Sequence, residues 1–233
     1  MIVIQEVFGL DDHIEDLARR FAHEGYLALA PDLYCRDAVR ATLSVEDIEG
    51  ALAAGRGDVE ANIRQLPADR QERVRRAINW RNDRDTSTYV PDLQAAVAYL
   101  KDRSDVRSDA IGCIGYCMGG GLSGQLATSG ADIAAAVINY GGPPPANEIP
   151  RVRCAVQGHY GGLDTGITSR VPDFEAAMKS AGKDFTAYVY DGAQHAFFNN
   201  TRPSYHAEAS RLTWERTLDF LQRHLKRAGV GAR

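Results

Sequence analysis

An α/β fold with a doubly wound, mostly parallel sheet is predicted by three features of the sequence. Short apolar runs of strand length alternate with segments of helical period. The runs are apolar nearly throughout, which argues for parallel strands covered by helices on both faces. The stretch Gly115-Tyr116-Cys117-Met118-Gly119, continued by Gly120-Gly121, reads as strand, sharp turn and helix in immediate succession.

Taken in order, Ile2-Val3-Ile4 opens as a buried strand that ends at Gln5-Glu6-Val7-Phe8-Gly9. Asp11-Asp12 starts a helix with Ile14, Leu17, Ala18 and Phe21 on one face, and Gly25 stops it. Tyr26 to Ala30 is expected to be a second strand, closed by Pro31-Asp32 and lying at an exposed sheet edge open to pairing with another chain. Ser44-Val45-Glu46-Asp47 is a capped helix start. It opens a weakly hydrophobic, arginine-rich helical excursion over about residues 36–90, read as mostly solvated. From Pro91 the alternation resumes, with Leu93, Ala96, Val97 and Leu100 on one helix face. Strands are expected at 110–114, 134–140, 152–156 and 185–190. A helix over about 172–180 precedes the last strand, and a closing helix carries Trp214, Leu218, Leu221 and Leu225. The whole chain, 1–233, is read as one domain carrying that excursion.

Composition narrows the function. At 44% hydrophobic and 25% charged residues the chain is of globular type, and its formal charge of -4 offers no basic face for nucleic acid. No apolar run approaches membrane-spanning length, and Gln5 and Glu6 interrupt any signal-type core. Cys35, Cys113, Cys117 and Cys154 have neither paired C-x-x-C spacing nor a framework pattern. Free thiols in a reducing, cytoplasmic setting are therefore expected. A zinc site built from Cys113, Cys117 and a distant His fits no structural spacing, so no metal and no cofactor are expected.

The chemistry centres on Cys117. Glycines on both sides allow the close strand–helix approach that a strained turn needs. The turn aims the thiol, the Met118 N–H and the positive end of the following helix at one point, which favours both thiolate and oxyanion. Loops at the carboxyl ends of parallel strands meet on one rim, and four candidates fall there: Glu6, Cys117, Asp164 and His195. Cys, Asp, His is the chain order of α/β-hydrolase triads. Asp164 is preferred over Asp191 as the partner of His195, because Asp191 shares a turn with it. On residues alone, Glu6 is a carboxylate at a strand end, as readily a cap as a catalyst. His13, His23, His206 and His224 are assigned to helix surfaces, and His159 either lines the site or is an ordinary loop residue.

Five motifs carry a resemblance over nearly the whole chain. Gln5-Glu6-Val7-Phe8-Gly9, Pro31-Asp32-Leu33-Tyr34, Gly115-Tyr116-Cys117-Met118-Gly119-Gly120, Gly161-Gly162-Leu163-Asp164 and His195-Ala196-Phe197 together resemble the dienelactone hydrolases, or carboxymethylenebutenolidases. The resemblance implies an α/β-hydrolase fold, a Cys117-His195-Asp164 triad and an oxyanion hole of the Val7 and Met118 backbone N–H groups. It also implies that Glu6 contacts the thiol and helps activate it when substrate binds. Phe8, Tyr34, Tyr116, His159, Phe197 and Phe198 are the candidate substrate contacts. The expected activity is cysteine-dependent hydrolysis of a lactone or carboxylic ester. A broader carboxylesterase or thioesterase, or a non-catalytic binding module on the same fold, is the alternative. The expected partner is a small-molecule ester or lactone, with no nucleic acid or membrane, and the expected state a monomer or weak homodimer.

The resemblance is incomplete at two points. The family carries Ser and Arg after the catalytic His to hold a substrate carboxylate, whereas this chain has Ala196, Phe197, Phe198 and Asn199. Neutral substrates are expected unless an arginine between Arg70 and Arg84 supplies the cation. Family members also have strand-forming sequence ahead of Gln-Glu-x-Phe-Gly, so the first strands of the family are expected to be missing here.

Overall fold

The computed structural model describes residues 1–226. They form two compact units, one of Met1–Pro31 with the chain from Tyr89 onward, the other Asp32–Thr88.

The first unit carries five strands: β1 (Ile2–Ile4), β2 (Gly112–Tyr116), β3 (Ala135–Asn139), β4 (Ala155–Gly161) and β5 (Phe185–Tyr190). All pairings are parallel and the spatial order follows the sequence, β1-β2-β3-β4-β5. Every residue of β1 to β4 is buried, as expected for a sheet covered on both faces. Because all strands run the same way, the segments after β1, β2, β3, β4 and β5 emerge on one rim. Those segments hold Glu6, Cys117, Tyr140, Asp164 and His195.

Helix α1 (Asp12–His23) buries Ile14, Leu17 and Phe21, the face seen in the sequence, and the Asp11 carboxylate caps it by accepting from the Ile14 N–H at 3.1 Å. The second unit consists of α2 (Val45–Ala54), α3 (Val59–Arg64) and α4 (Ala68–Asp83). The Ser44 hydroxyl and the Asp47 carboxylate close a capping box at the start of α2. In this unit Arg70 donates to the Glu46 carbonyl, Arg73 pairs with Asp47 and Arg75 with Glu60, so these arginines have partners inside their own unit. Tyr34 lies buried here, edge-on to Trp80.

Back in the sheet unit, α5 (Tyr89–Lys101) precedes β2, α6 (Met118–Thr128) follows it, and α7 (Thr165–Thr168) and α8 (Val171–Ser180) precede β5. Helix α9 (Ala207–Leu221) then runs into a π-helical turn, Gln222–Lys226. Residues alternate between the sheet's faces. Ile114, Tyr116 and Val137 face a core shared with Ile14, Leu17 and Phe21 of α1 and Phe220 and Leu221 of α9. Gly115 faces α6.

Several expectations need correction. Tyr26 to Ala30 is not a strand: only Leu29 bridges to Ile2, through Leu29 N–H to Met1 O and Val3 N–H to Leu29 O. The α-amino group of Met1 occupies the Leu27 carbonyl, and Pro31 has no N–H to continue a ladder. The strand expected at 152–156 starts at Ala155 and extends to Gly161, because small residues and a satisfied His carry it onward. His13 is not on the surface. It is buried in α1 edge-on to Tyr116 with neither ring nitrogen hydrogen-bonded, and burial lowers its pKa to about 4. His206 caps α9, its Nδ1 accepting from the Ala209 N–H.

Candidate active site

Cys117 sits where β2 turns into α6, with φ 54° and ψ -113°, a conformation that L-residues rarely hold. The packing explains how it is held. A Cβ on Gly115 would lie 1.9 Å from the Gly119 carbonyl oxygen, and one on Gly119 would lie 2.4 Å from that of Ile4. Only glycine lets the strand and helix backbones come this close, and the closeness forces the turn. Cys117 is the N-cap residue of α6, so its thiol stands at the helix's positive end.

The turn brings Cys117 to His195, which follows β5. His195 Nε2 lies 3.1 Å from Cys117 Sγ, and His195 Nδ1 lies 2.6 Å from Asp164 Oδ2. Asp191, the rival carboxylate, stays exposed in the turn after β5. Burial works against a charged His195, but its bonds to Asp164 and Cys117 outweigh that and hold it well above the usual imidazole range. An imidazolium is therefore favoured beside the sulfur, bonded on both nitrogens.

Glu6 is almost fully buried, and its carboxylate does not bond to Cys117. Oε1 accepts from the Tyr140 hydroxyl at 3.3 Å and Oε2 from Asn199 Nδ2 at 2.8 Å. Burial raises its pKa, the Asn199 bond opposes this, and the charges of His195 and Arg202 also favour the carboxylate. Tyr140, Asn199 and Arg202 were not among the residues singled out as site groups in the sequence. Arg202 places its guanidinium 4.0 Å from the Phe8 ring centre and near the Asp11 carboxylate. Tyr140 had a usable signal, a bulky residue at the carboxyl end of a strand just before Gly141-Gly142. Val7 follows Glu6 directly, and Met118 is the first residue of α6.

The model of the dienelactone hydrolase family matches residues 1–225. The chain is 33% identical to a protein of Saccharolobus solfataricus assigned as a carboxymethylenebutenolidase, over 96% of this chain and 88% of that one. The chain belongs to the dienelactone hydrolase family. A counterpart in Methylorubrum extorquens, assigned the same way, is 31% identical over 96% of this chain and 72% of its own. A crystal structure from Klebsiella pneumoniae, assigned as a dienelactone hydrolase, superposes with a TM-score of 0.73 at 27% identity. It covers 95% of this chain and 85% of that one. The protein is thus a dienelactone hydrolase-like hydrolase with an α/β-hydrolase fold. No helix among the described residues is long and apolar enough to cross a membrane.

Within this family fold, four candidate substrate contacts need correction. Tyr116, Phe197 and Phe198 are buried in the core between the sheet, α1 and α9, so they back the site rather than line it. His159 lies within β4, with no exposed surface. Its Nδ1 meets the Tyr190 hydroxyl and its Nε2 meets Gln157 and Thr217, and burial lowers its pKa to about 3. A neutral imidazole satisfied on both nitrogens is a packing element of α9 on the sheet. Phe8, beneath Arg202, remains beside Glu6 at the rim.

Proposed function

We propose that this protein hydrolyses lactones or carboxylic esters through a Cys117-His195-Asp164 triad. The observation that carries the reading is His195 bonded on one nitrogen to Cys117 Sγ and on the other to Asp164. The thiolate attacks the acyl carbon, forming a C–S bond, and the backbone N–H groups of Met118 and Val7 hold the oxyanion. The alkoxide leaves with the proton from His195 Nε2. A water then gives its proton to His195 and attacks the thioester, releasing acid and thiolate. Glu6 acts in this reading as a buried carboxylate that supports the imidazolium through opposite charge. A cytoplasmic setting goes with it, since a nucleophilic thiol must stay reduced.

Alkylation tests this directly. Burial pushes the Cys154 thiol up to about 11 and the Cys113 thiol higher still, while Cys35 is exposed without a comparable His partner. Iodoacetamide is expected to label Cys117 first, with ester hydrolysis falling in step. Labelling of Cys35 first, with activity intact, would overturn the assignment.

Asn199 bears on the substrate. Its amide donates to Glu6, its carbonyl accepts from Thr201, and the side chain is fully buried, so it offers a substrate carboxylate no accessible donor. We therefore expect neutral lactones and esters to be turned over at least as well as carboxylated ones. The check is the ratio of kcat/KM for a carboxylated lactone and its methyl ester. A bidentate Arg contact would favour the acid about tenfold or more, and a ratio of that size would reject the expectation.

A further inference from the structure

We propose that Tyr140 is a positioning residue for Glu6, forming with Asn199 a two-donor cradle that fixes the Glu6 carboxylate beside the Cys117-His195 pair. The inference rests on the part given to Glu6 above and adds the groups that hold it. Three observations on Tyr140 carry it. Its hydroxyl donates to Glu6 Oε1 at 3.3 Å, with both side chains shut off from solvent. Its ring stands edge-on to the His195 imidazole, 5.3 Å between centres, so one side chain touches both groups. Its backbone adopts φ 38°, rare for an aromatic residue, with its N–H bonded to the His159 carbonyl at 2.8 Å. Backbone strain of this kind persists where the surroundings over-determine the conformation, and it clusters at working sites.

Asn199 is oriented by its own partners. Its Oδ1 accepts from the Thr201 N–H at 3.0 Å and from the Thr201 hydroxyl at 2.7 Å. That fixes the amide so that Nδ2 faces Glu6. Of the charged and titratable groups around Glu6, His195 and Arg202 favour the carboxylate and Asp11 disfavours it. The Tyr116 and Tyr140 phenols complete the set, and burial keeps both neutral at ordinary pH. A carboxylate out of water depends on such donors, because they replace the hydrogen bonds its hydration supplied.

Tyr140→Phe removes the hydroxyl and keeps the ring against His195, and Asn199→Ala removes the other donor. The first readout is NMR of protein labelled at the glutamate carboxyl carbon. The resonance absent from Glu6→Gln identifies Glu6. Its titration midpoint is expected to rise by about one pH unit or more in each variant, the size of a lost hydrogen bond to a charged group. Melting temperatures report whether each variant is folded. A midpoint that stays put in folded Tyr140→Phe overturns the cradle, and so does a Tyr140→Phe that no longer folds, since removing one hydroxyl then reports a structural role. The second readout is the acid limb of kcat/KM, expected to move up with the midpoint and to be insensitive to Tyr140→Phe in a Glu6→Gln background. If the midpoint moves while the acid limb does not, the cradle stands and the catalytic part given to Glu6 fails.

Discussion

Cys117→Ala is expected to lower kcat/KM for any ester or lactone substrate by about 10⁴-fold or more, with the fold and melting temperature nearly unchanged. Removing Sγ leaves the strained turn intact, because the turn is imposed by the close approach of Gly115 to Gly119 and of Gly119 to the Ile4 carbonyl. The backbone donors and His195 remain, so a small residual rate from bound water and the oxyanion site is all that is left. Cys117→Ser keeps a nucleophile atom yet should recover little. The site supplies a His195 held as a cation by Asp164 and by the sulfur itself. A thiolate coexists with an imidazolium. A hydroxyl instead needs a neutral imidazole to take its proton as it attacks, and the alkoxide is far harder to form. Burst kinetics with an aryl ester separates the two variants from the wild type, which should accumulate a thioester. A Cys117→Ser or Cys117→Ala enzyme within tenfold of wild type would mean that another group is the nucleophile.

How much of this was legible in the sequence follows from how local each cause is. The elbow was legible because a glycine pattern, an apolar run and a small-residue helix are contiguous. Strand β5 matched its expected limits, 185–190, because polar or small residues bound it on both sides. The α2 capping box was legible for the same local reason. Tyr26 to Ala30 misled because apolar character reports burial, and Tyr26, Ala28 and Ala30 pack half-buried against the core while Leu29 alone bridges to the sheet. His159 was left between a site-lining and a loop residue because two of its partners, Tyr190 on β5 and Thr217 on α9, are far from it in sequence.

The same distinction divides the site. Cys117, Asp164 and His195 each follow a strand, so parallel topology alone brings them to one rim. The part of Glu6 was implied only by the resemblance, and its real neighbours were hidden. Asn199 was read as the loss of a donor to substrate, when its amide is committed to Glu6, 193 positions away in the chain. Tyr140 was read as the end of a strand. Its place at a strand's carboxyl end before Gly141-Gly142 pointed to the rim, but its backbone conformation and its ring's approach to His195 are not encoded in a residue pattern. Phe197 and Phe198 were given to substrate because they are apolar and next to His195. The tight turn around Ala196, itself at φ 59°, swings them back into the core.

Asp164→Asn is expected to lower kcat by about 10²- to 10⁴-fold while leaving KM nearly unchanged. Asp164 Oδ2 accepts the His195 Nδ1–H at 2.6 Å, which leaves Nε2 to exchange a proton with Cys117 Sγ. An amide in its place can donate to Nδ1 and so select the opposite tautomer, with Nε2 protonated and no base facing the sulfur or the resolving water. The charge is lost as well. The Asp164 bond is among the causes that raise the His195 pKa against burial, so in the variant His195 loses its proton at lower pH than in the wild type. The imidazolium form should therefore be lost at lower pH in the variant than in the wild type. Alkylation of Cys117 by iodoacetamide near neutral pH should slow accordingly, because the cation bonded to its sulfur is weakened. Asp164→Ala removes the wrong-tautomer donor, so it should keep somewhat more activity than Asp164→Asn if tautomer selection dominates, and equally little if the charge does. Wild-type kcat in a folded Asp164→Asn enzyme would remove Asp164 from the mechanism and reopen the case for Asp191.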